Sequence, residues 1–314
     1  MHRSSRTRLA PVAALILAAC AALGPRAALA VDVPPPDEPE IAKYEIDIEA
    51  KVLSDRRNRG ISDTFNSAGA ELNFSFAHES GIIALADFGT VSKIQFPNGS
   101  GTTALLAGGY RFGDPDGWHF GVGVAQELFP GAKVDAPTGL APVVDPITGE
   151  IIGLQPTGMR TTRFDTTYAV VEFGWKLLEG RYLNVLSQDY RGGNTSTICP
   201  LYLPDAAAAL ACYARGDFHT RGTQMVDLDI AWPVAPHVKL LAHLGYETVP
   251  HFSAYDFVDW RAGASYEFGH GFTLSAEGVG ANTSSHQLFL ATSPGGSTAQ
   301  TDSTTVVVAL SKKW

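Results

Sequence analysis

Charged residues at every second position are the first sign of chemistry in this chain. Glu45, Asp47, Glu49 and Lys51 alternate with Tyr44, Ile46, Ile48, Ala50 and Val52. In a helix these charges would scatter around the axis. In a strand they share one face and the apolar residues share the other, which suits a wall between water and lipid. The same parity argument puts Glu71, Asp87, Glu127, Glu172, Asp227, Asp229, Glu267 and Glu277 on the watery side of later segments. Arg111, Lys239, Arg261 and Lys313 fall there too, with His119 and His243. Charged side chains around a lumen bias ion passage by electrostatics. The acid excess predicts a weak cation preference, with Lys51 and Lys313 placed to temper it. The alternative is that these groups pair across a narrow interior and fill it, leaving a structural or surface-binding barrel.

Arg56, Arg57 and Arg59 crowd the segment after the first strand. Folded inward, they would form a basic constriction; folded outward, they would pin the loop to acids at the rim or meet lipopolysaccharide phosphates. Cys199 and Cys212 are the two cysteines beyond residue 30 and read as a disulfide in an exported protein. Such a bridge is worth about 3 kcal/mol in the chain-entropy model. Asp205 ahead of Ala206–Ala211 reads as the cap of a short helix between them. The histidines show no metal-ligand spacing, and no glycine-rich phosphate loop lies between a strand and a helix. No cofactor is called for.

Twelve alternating segments must position these groups. They are predicted at 43–55, 66–77, 81–90, 102–112, 118–128, 164–176, 181–190, 221–232, 238–247, 258–268, 272–281 and 303–314. Short connections (78–80, 113–117, 177–180, 233–237 and 269–271) alternate with long ones (55–65, 91–101, 129–163, 191–220, 248–257 and 282–302). Five short turns and six long loops are what twelve antiparallel strands need when both ends of the chain lie on one side. The short turns are flanked by Phe112, Trp118, Trp175, Tyr182, Trp232, Phe268 and Phe272, with Tyr44 and Trp314 at the same level. Aromatic rings at one level form an interfacial girdle. The fold class is therefore all-β, a transmembrane antiparallel β-barrel of about twelve strands.

Leu53 to Ser62 reads LSDRRNRGIS. It resembles the signature of the TorF-type porin family of proteobacterial outer membranes, matching at Ser54, Asp55, Arg57, Arg59, Gly60, Ile61 and Ser62. It departs at Arg56 and Asn58, where that family often has aromatics. His78-Glu79-Ser80-Gly81 is similar to the family's H-x-S-G turn, and Ala107 to Arg111 (AGGYR) to a third landmark. Asp259 to Tyr266 (DWRAGASY) is a weaker echo. The resemblance covers residues 52–111 and implies an outer-membrane barrel of porin type, with the solute left open. A more distant resemblance points elsewhere. His251-Phe252-Ser253 is similar to the H-x-S pair of outer-membrane phospholipase A, but the Asn-Gly context that follows the serine in that family is missing. Without an orienting third group the base is poorly activated, so no catalytic residue is assigned.

Arg3, Arg6 and Arg8, the apolar run Leu9–Leu23 and Ala28-Leu29-Ala30 read as a secretory signal over residues 1–30. Leu17-Ala18-Ala19-Cys20 also fits a lipoprotein box, which would leave an acylated Cys20. Residues 31–42 are a Pro-rich, acidic periplasmic lead-in, and 43–314 the barrel. Mean hydropathy is only +0.02, as expected when lipid-facing and water-facing residues alternate. Removing residues 1–30 takes away four of the 23 basic residues and none of the 32 acidic ones, leaving 19 against 32. That balance excludes nucleic acid as a partner. The last strand carries Thr304, Val306, Val308, Leu310, Lys312 and Trp314 on one face. It resembles the carboxy-terminal signal read by the barrel-assembly machinery. The expected surroundings are outer-membrane lipids, lipopolysaccharide and small polar solutes.

Overall fold

The computed structural model describes residues 44–114, 117–203 and 205–314. The segments read as an export signal and lead-in lie outside them. Twelve strands form one closed antiparallel barrel. In chain order they are β1 (Tyr44–Leu53), β2 (Gly69–His78), β3 (Ile82–Thr90), β4 (Thr102–Gly113), β5 (Trp118–Leu128), β6 (Thr166–Trp175), β7 (Leu178–Val185), β8 (Gln224–Ala235), β9 (Val238–Thr248), β10 (Phe257–Gly269), β11 (Phe272–Thr283) and β12 (Thr305–Lys313). Each pairs with its chain neighbour. β1 closes the ring against β12, with Glu49 opposite Lys313 and Leu53 opposite Ala309.

Period-two patterning turns this barrel inside out relative to a water-soluble one. On β12, Val306, Val308 and Leu310 are exposed, while Val307 and Ala309 face inward and are buried. Tyr44, Ile46, Val52, Leu106, Phe120, Leu244 and Leu274 are likewise exposed on their strands. A continuous apolar outer face is costly in water and favourable in hydrocarbon, and closure leaves no strand edge unpaired. Among the described residues no helix is long and apolar enough to cross a membrane; the strands make the crossing. At the short-turn end, Trp118 stacks on Trp175 (5.4 Å between ring centres) and Phe268 on Phe272 (5.8 Å). These ring pairs, with Trp118, Trp175 and Phe268 exposed and Phe272 half-buried, form the girdle.

Tight turns set the register. His270 and Gly271 both have positive φ (53° and 77°), which matches the right-handed twist of the flanking strands. In the 79–81 turn, His78 Nδ1 lies 2.8 Å from Ser80 Oγ and accepts from the Ser80 backbone at 3.1 Å, which makes the H-x-S-G landmark a turn-closing device.

The seventh strand departs most from its predicted place. It begins at Leu178 rather than 181, after a two-residue turn in which Lys176 is left-handed (φ 56°). Glu179-Gly180 reads as turn chemistry. In the barrel Gly180 sits inside the strand under the Phe173 ring, where an added Cβ would meet a ring carbon at 2.1 Å. The cross-strand aromatic covers the bare glycine and keeps it in the sheet. Residues 129–163 also depart from a plain loop. They form a projecting hairpin of Lys133–Val144 against Ile151–Arg163, whose tip is tied by Asp145 Oδ1 accepting from the Ile147 (2.7 Å) and Thr148 (3.1 Å) amides.

The connections at 91–101, 191–220, 248–257 and 282–302 form a layer over one barrel end. Helix α1 (Ala206–Ala214) is capped by Asp205, which accepts from the Ala207 and Ala208 amides. Cys199 and Cys212 form a disulfide with Cα atoms 5.5 Å apart. They pack with Ile198, Val249 and Phe252 into a small core outside the barrel wall. A second core under the loops holds Val91, Phe96, Phe129 and Ala132. Each fully buried large side chain contributes about 1.5–3 kcal/mol, so these clusters order an otherwise polar surface.

The alternation of short turns and long loops leads us to expect the long-loop layer outside the cell. Ile147→Cys, at the exposed hairpin tip, is expected to react with a membrane-impermeant maleimide on intact cells. Pro236→Cys, in a short turn, should react only after permeabilisation. The opposite pattern would reverse the orientation.

Candidate functional site: the barrel lumen

Residues 54–66 do not project from the rim. They fold into the lumen, and the arginines account for why. Arg59 places Nη1 2.5 Å from Asp227, Nε 3.2 Å from Glu247 and Nη2 3.2 Å from Asp259, carboxylates on β8, β9 and β10. It adopts φ 50° and Gly60 φ 77°, a local reversal that aims the guanidinium across the barrel. A Cβ on Gly60 would meet the Gly280 carbonyl oxygen at 2.5 Å, so the loop backbone lies directly against β11. Arg56 turns the other way, to Asp63 (2.9 Å), Glu71 (3.1 Å) and Asp87 (3.8 Å). Bare wall at Gly69 and Gly89 makes room for it. Arg57 pins the loop. Its Nε bonds Asp55 at 2.6 Å, and Nη1 donates to the Gly60 and Ser303 carbonyls. Asp55 Oδ1 also accepts from the Ser62 and Thr64 hydroxyls. The landmark LSDRRNRGIS is thus a self-bonded plug segment.

The inward fold and the rim pinning, alternatives in the sequence, both occur, divided among the three arginines. The free basic constriction does not. Side chains of Arg56, Arg57 and Arg59 are 11%, 3% and 8% exposed, and each is held by carboxylates. Burial alone would lower the Arg59 pKa, but Glu247, Asp227 and Asp259 outweigh it and hold it above the ordinary arginine value.

A fourth arginine completes the plug. Arg191, from the loop after β7, reaches Asp63 (2.7 Å) and Glu127 (3.3 Å) with its guanidinium over the Phe96 and Phe129 rings. Tyr168 donates to Glu127 (2.8 Å) and Tyr190 to Glu247 (3.0 Å), so these buried carboxylates gain hydrogen bonds beyond their ion pairs. Sequence reasoning did not reach Arg191, Asp63, Glu247 or Asp259. Asp259 was recoverable, since it shares the strand parity of Arg261. Arg191 carried no signal, because its position depends on where a long loop lands.

The other sequence-derived residues lie along the wall. Asp47 pairs with Lys313 at 2.9 Å; Lys51 lies between Glu49 (3.8 Å) and Glu71 (3.6 Å). Glu45, on the same face, is exposed at the short-turn end. Arg111 bonds Glu172 at 2.6 Å, and His119 lies 3.1 Å from Glu179. Asp229 is shared by His243 (2.8 Å), Arg261 (3.0 Å) and Arg181 (3.3 Å). Between plug and wall lies a cavity of about 280 Å³. Asp227, His243 and Asp259 bring their ligand atoms within 4.8 Å of one another. The Arg59 guanidinium already fills the cation position there, which removes the case for a metal ion at that point. The His251 ring stacks on Phe218 (4.3 Å), outside the lumen, in a packing arrangement.

Replacing Arg59 leaves three lumen carboxylates facing one another without their cation. Loss of one partner from a buried ion pair costs about 3–5 kcal/mol. Arg59→Ala should lower the unfolding midpoint of the purified barrel, and adding Asp227→Asn should recover part of the loss. An unchanged midpoint in both variants would show that the cage contributes nothing to stability.

The chain matches no curated protein sequence. Among solved structures it is similar to the NanC porin (TM-score 0.46, 8% identity, covering 85% of this chain and 98% of that one). It is also similar to the KdgM porin (0.41, 6%, 86% and 97%). A third likeness is an outer membrane channel from Pseudomonas putida F1 (0.38, 11%, 90% and 99%). A family model matches residues 39–314. The chain belongs to that family, Gcw_chp, bacterial proteins of unknown function.

Proposed function

We propose that this protein is a porin-like channel of the bacterial outer membrane, passing small polar solutes without catalysis. The carrying observation is a closed barrel with an apolar outer face whose charged inner face surrounds a cavity under an inward-folded loop. A wall of ion pairs is hydrated and polar, as a solute path needs, while the loop narrows it. The resemblance of residues 52–111 to TorF-type porins supports the same reading, as does the exported character read in residues 1–30.

Selectivity follows from where charge is left over. At the long-loop end Arg56, Arg57, Arg59 and Arg191 are shared among eight carboxylates, so acids stay in excess there too. At the short-turn end Glu49 meets Lys51 and Asp47 meets Lys313, and with Glu45 beside them a modest negative potential remains at that mouth. In planar bilayers the channel should show weak cation preference, declining as salt screens the mouth. Replacing Glu45, Asp47 and Glu49 with glutamines should reduce the preference, whereas Lys313→Gln should increase it. Anion preference in the parent would reject the acid-mouth account.

One observation favours a second reading, a non-conducting barrel serving envelope structure or surface binding. Arg59, Arg56 and Arg191 cross-brace the interior, and a twelve-stranded barrel has little width to spare. Folded protein that inserts yet carries no current would decide for it.

In the proposed setting the outer face meets outer-membrane lipids and the loop layer meets lipopolysaccharide, while the assembly machinery reads β12. Lys312 extends over the Phe272 ring (4.3 Å) and toward the Trp314 ring (5.8 Å) on that strand's outer face. Trp314→Ala should cut the heat-modifiable, folded fraction in cell envelopes, and Trp314→Phe should retain it. Equal folded yield in both variants would end the assembly role of this ring.

A further inference from the structure

One stretch of lumen wall reverses the prevailing excess of carboxylates over arginines in its ion pairs. Asp229 is the only carboxylate that Arg181 and Arg261 contact among the described residues. Arg181 Nη2 donates to its Oδ2 at 3.3 Å and Arg261 Nη2 to its Oδ1 at 3.0 Å. The same carboxylate also meets His243 Nδ1 at 2.8 Å. Among the described residues the two arginines are more open than the other paired lumen arginines, Arg111 included at 32%. Their side chains are 53% and 43% exposed, against 8% for Arg59 and 11% for Arg56. Each guanidinium has five N–H donors, and Asp229 takes one from each. Both guanidinium groups line the cavity and share this one carboxylate, while Glu172 and Asp227, opposite Arg181 in the sheet, are held by Arg111 and Arg59.

The cavity beside them supplies a second chemistry. It is lined by Leu183, Met225 and Val279 as well as by both arginines, and the carboxylates on its wall, among them Glu127, Asp227 and Asp259, are already engaged by Arg191 or Arg59. Met225 lies opposite Leu183 in the sheet, and Val279 lies opposite Arg261. An apolar floor next to two guanidinium forks fits a short carbon skeleton ending in a carboxylate. The planar carboxylate can take two parallel N–H bonds from one fork, as Asp229 cannot while it is shared three ways. A cavity of about 280 Å³ accommodates only a small molecule.

We infer that Arg181 and Arg261 form a lumen subsite for small aliphatic carboxylates. This deepens the channel reading by naming a solute class, and it is compatible with weak cation preference at the mouth. Asp229 acts as the internal counter-ion that keeps the site from holding its solute too tightly, since a solute that binds too well does not leave.

The test uses the full folded barrel in detergent at low ionic strength, with butyrate as probe and butyramide as the uncharged control, measured by isothermal titration calorimetry. Butyrate should bind and butyramide should not. Arg181→Gln with Arg261→Gln should weaken butyrate at least tenfold, the order expected for losing charge-assisted hydrogen bonds. Asp229→Asn should tighten it, an outcome that a merely destabilised variant would not produce. Absence of butyrate binding in the parent, or equal binding by parent and double variant, would overturn the inference. Potassium chloride conductance is measured separately on the same proteins. Binding without conductance would end the channel reading and leave the subsite standing; conductance without binding would do the reverse.

Discussion

The guanidinium of Arg59 is the contact on which the interior depends. It starts from the loop after β1 and ends among carboxylates of β8, β9 and β10, so one side chain couples strands three to five places apart around the ring. Three acids on adjacent strands would repel one another without it, and a buried guanidinium would be costly without them. Each half of the cage makes the other tolerable. Gly60 and Gly245 belong to the same arrangement, because a side chain at either would occupy space taken by the Gly280 carbonyl or by Asp259 and Arg59.

This dependence explains why charge is graded along the lumen. Where the plug enters, Arg56, Arg59 and Arg191 from two loops are shared among seven carboxylates, Asp63, Glu71, Asp87, Glu127, Asp227, Glu247 and Asp259, in interlocking pairs. Farther toward the short turns the pairs become local, as with Asp47 and Lys313 or Arg111 and Glu172. Between the two lies the shared carboxylate of Asp229, with two half-open arginines. Rigid, interlocked charge at one end and looser charge below give a passage that can be narrow without being electrostatically inert.

The outer face follows a simpler rule. Every second residue meets lipid, so the strands need apolar side chains only at alternate positions, and rings collect where hydrocarbon gives way to water. The loop layer is assembled by ordinary globular means, with a disulfide, a capped helix and two small aromatic cores. It holds the rim in place and carries Arg191 into the lumen.

The alternation of Tyr44–Val52 against Glu45–Lys51, the spacing of short and long connections and the ring-flanked turns determined the barrel, its strand number and its outer face. These are local properties, because a period of two is written into each strand separately. The shift of β7 was not legible, since Gly180 becomes a strand residue only through the Phe173 ring across from it. The sequence also placed Asp227, Asp229, Arg111 and Arg261 on the inner side by parity, and left the three loop arginines between an inward and a rim position. Only the tertiary structure decided their partners. Arg59 lies 168 residues from Asp227 along the chain, and Arg191 lies 128 residues from Asp63. Ion pairs of that separation depend on barrel closure and on the path of loops across its mouth, which no local pattern encodes.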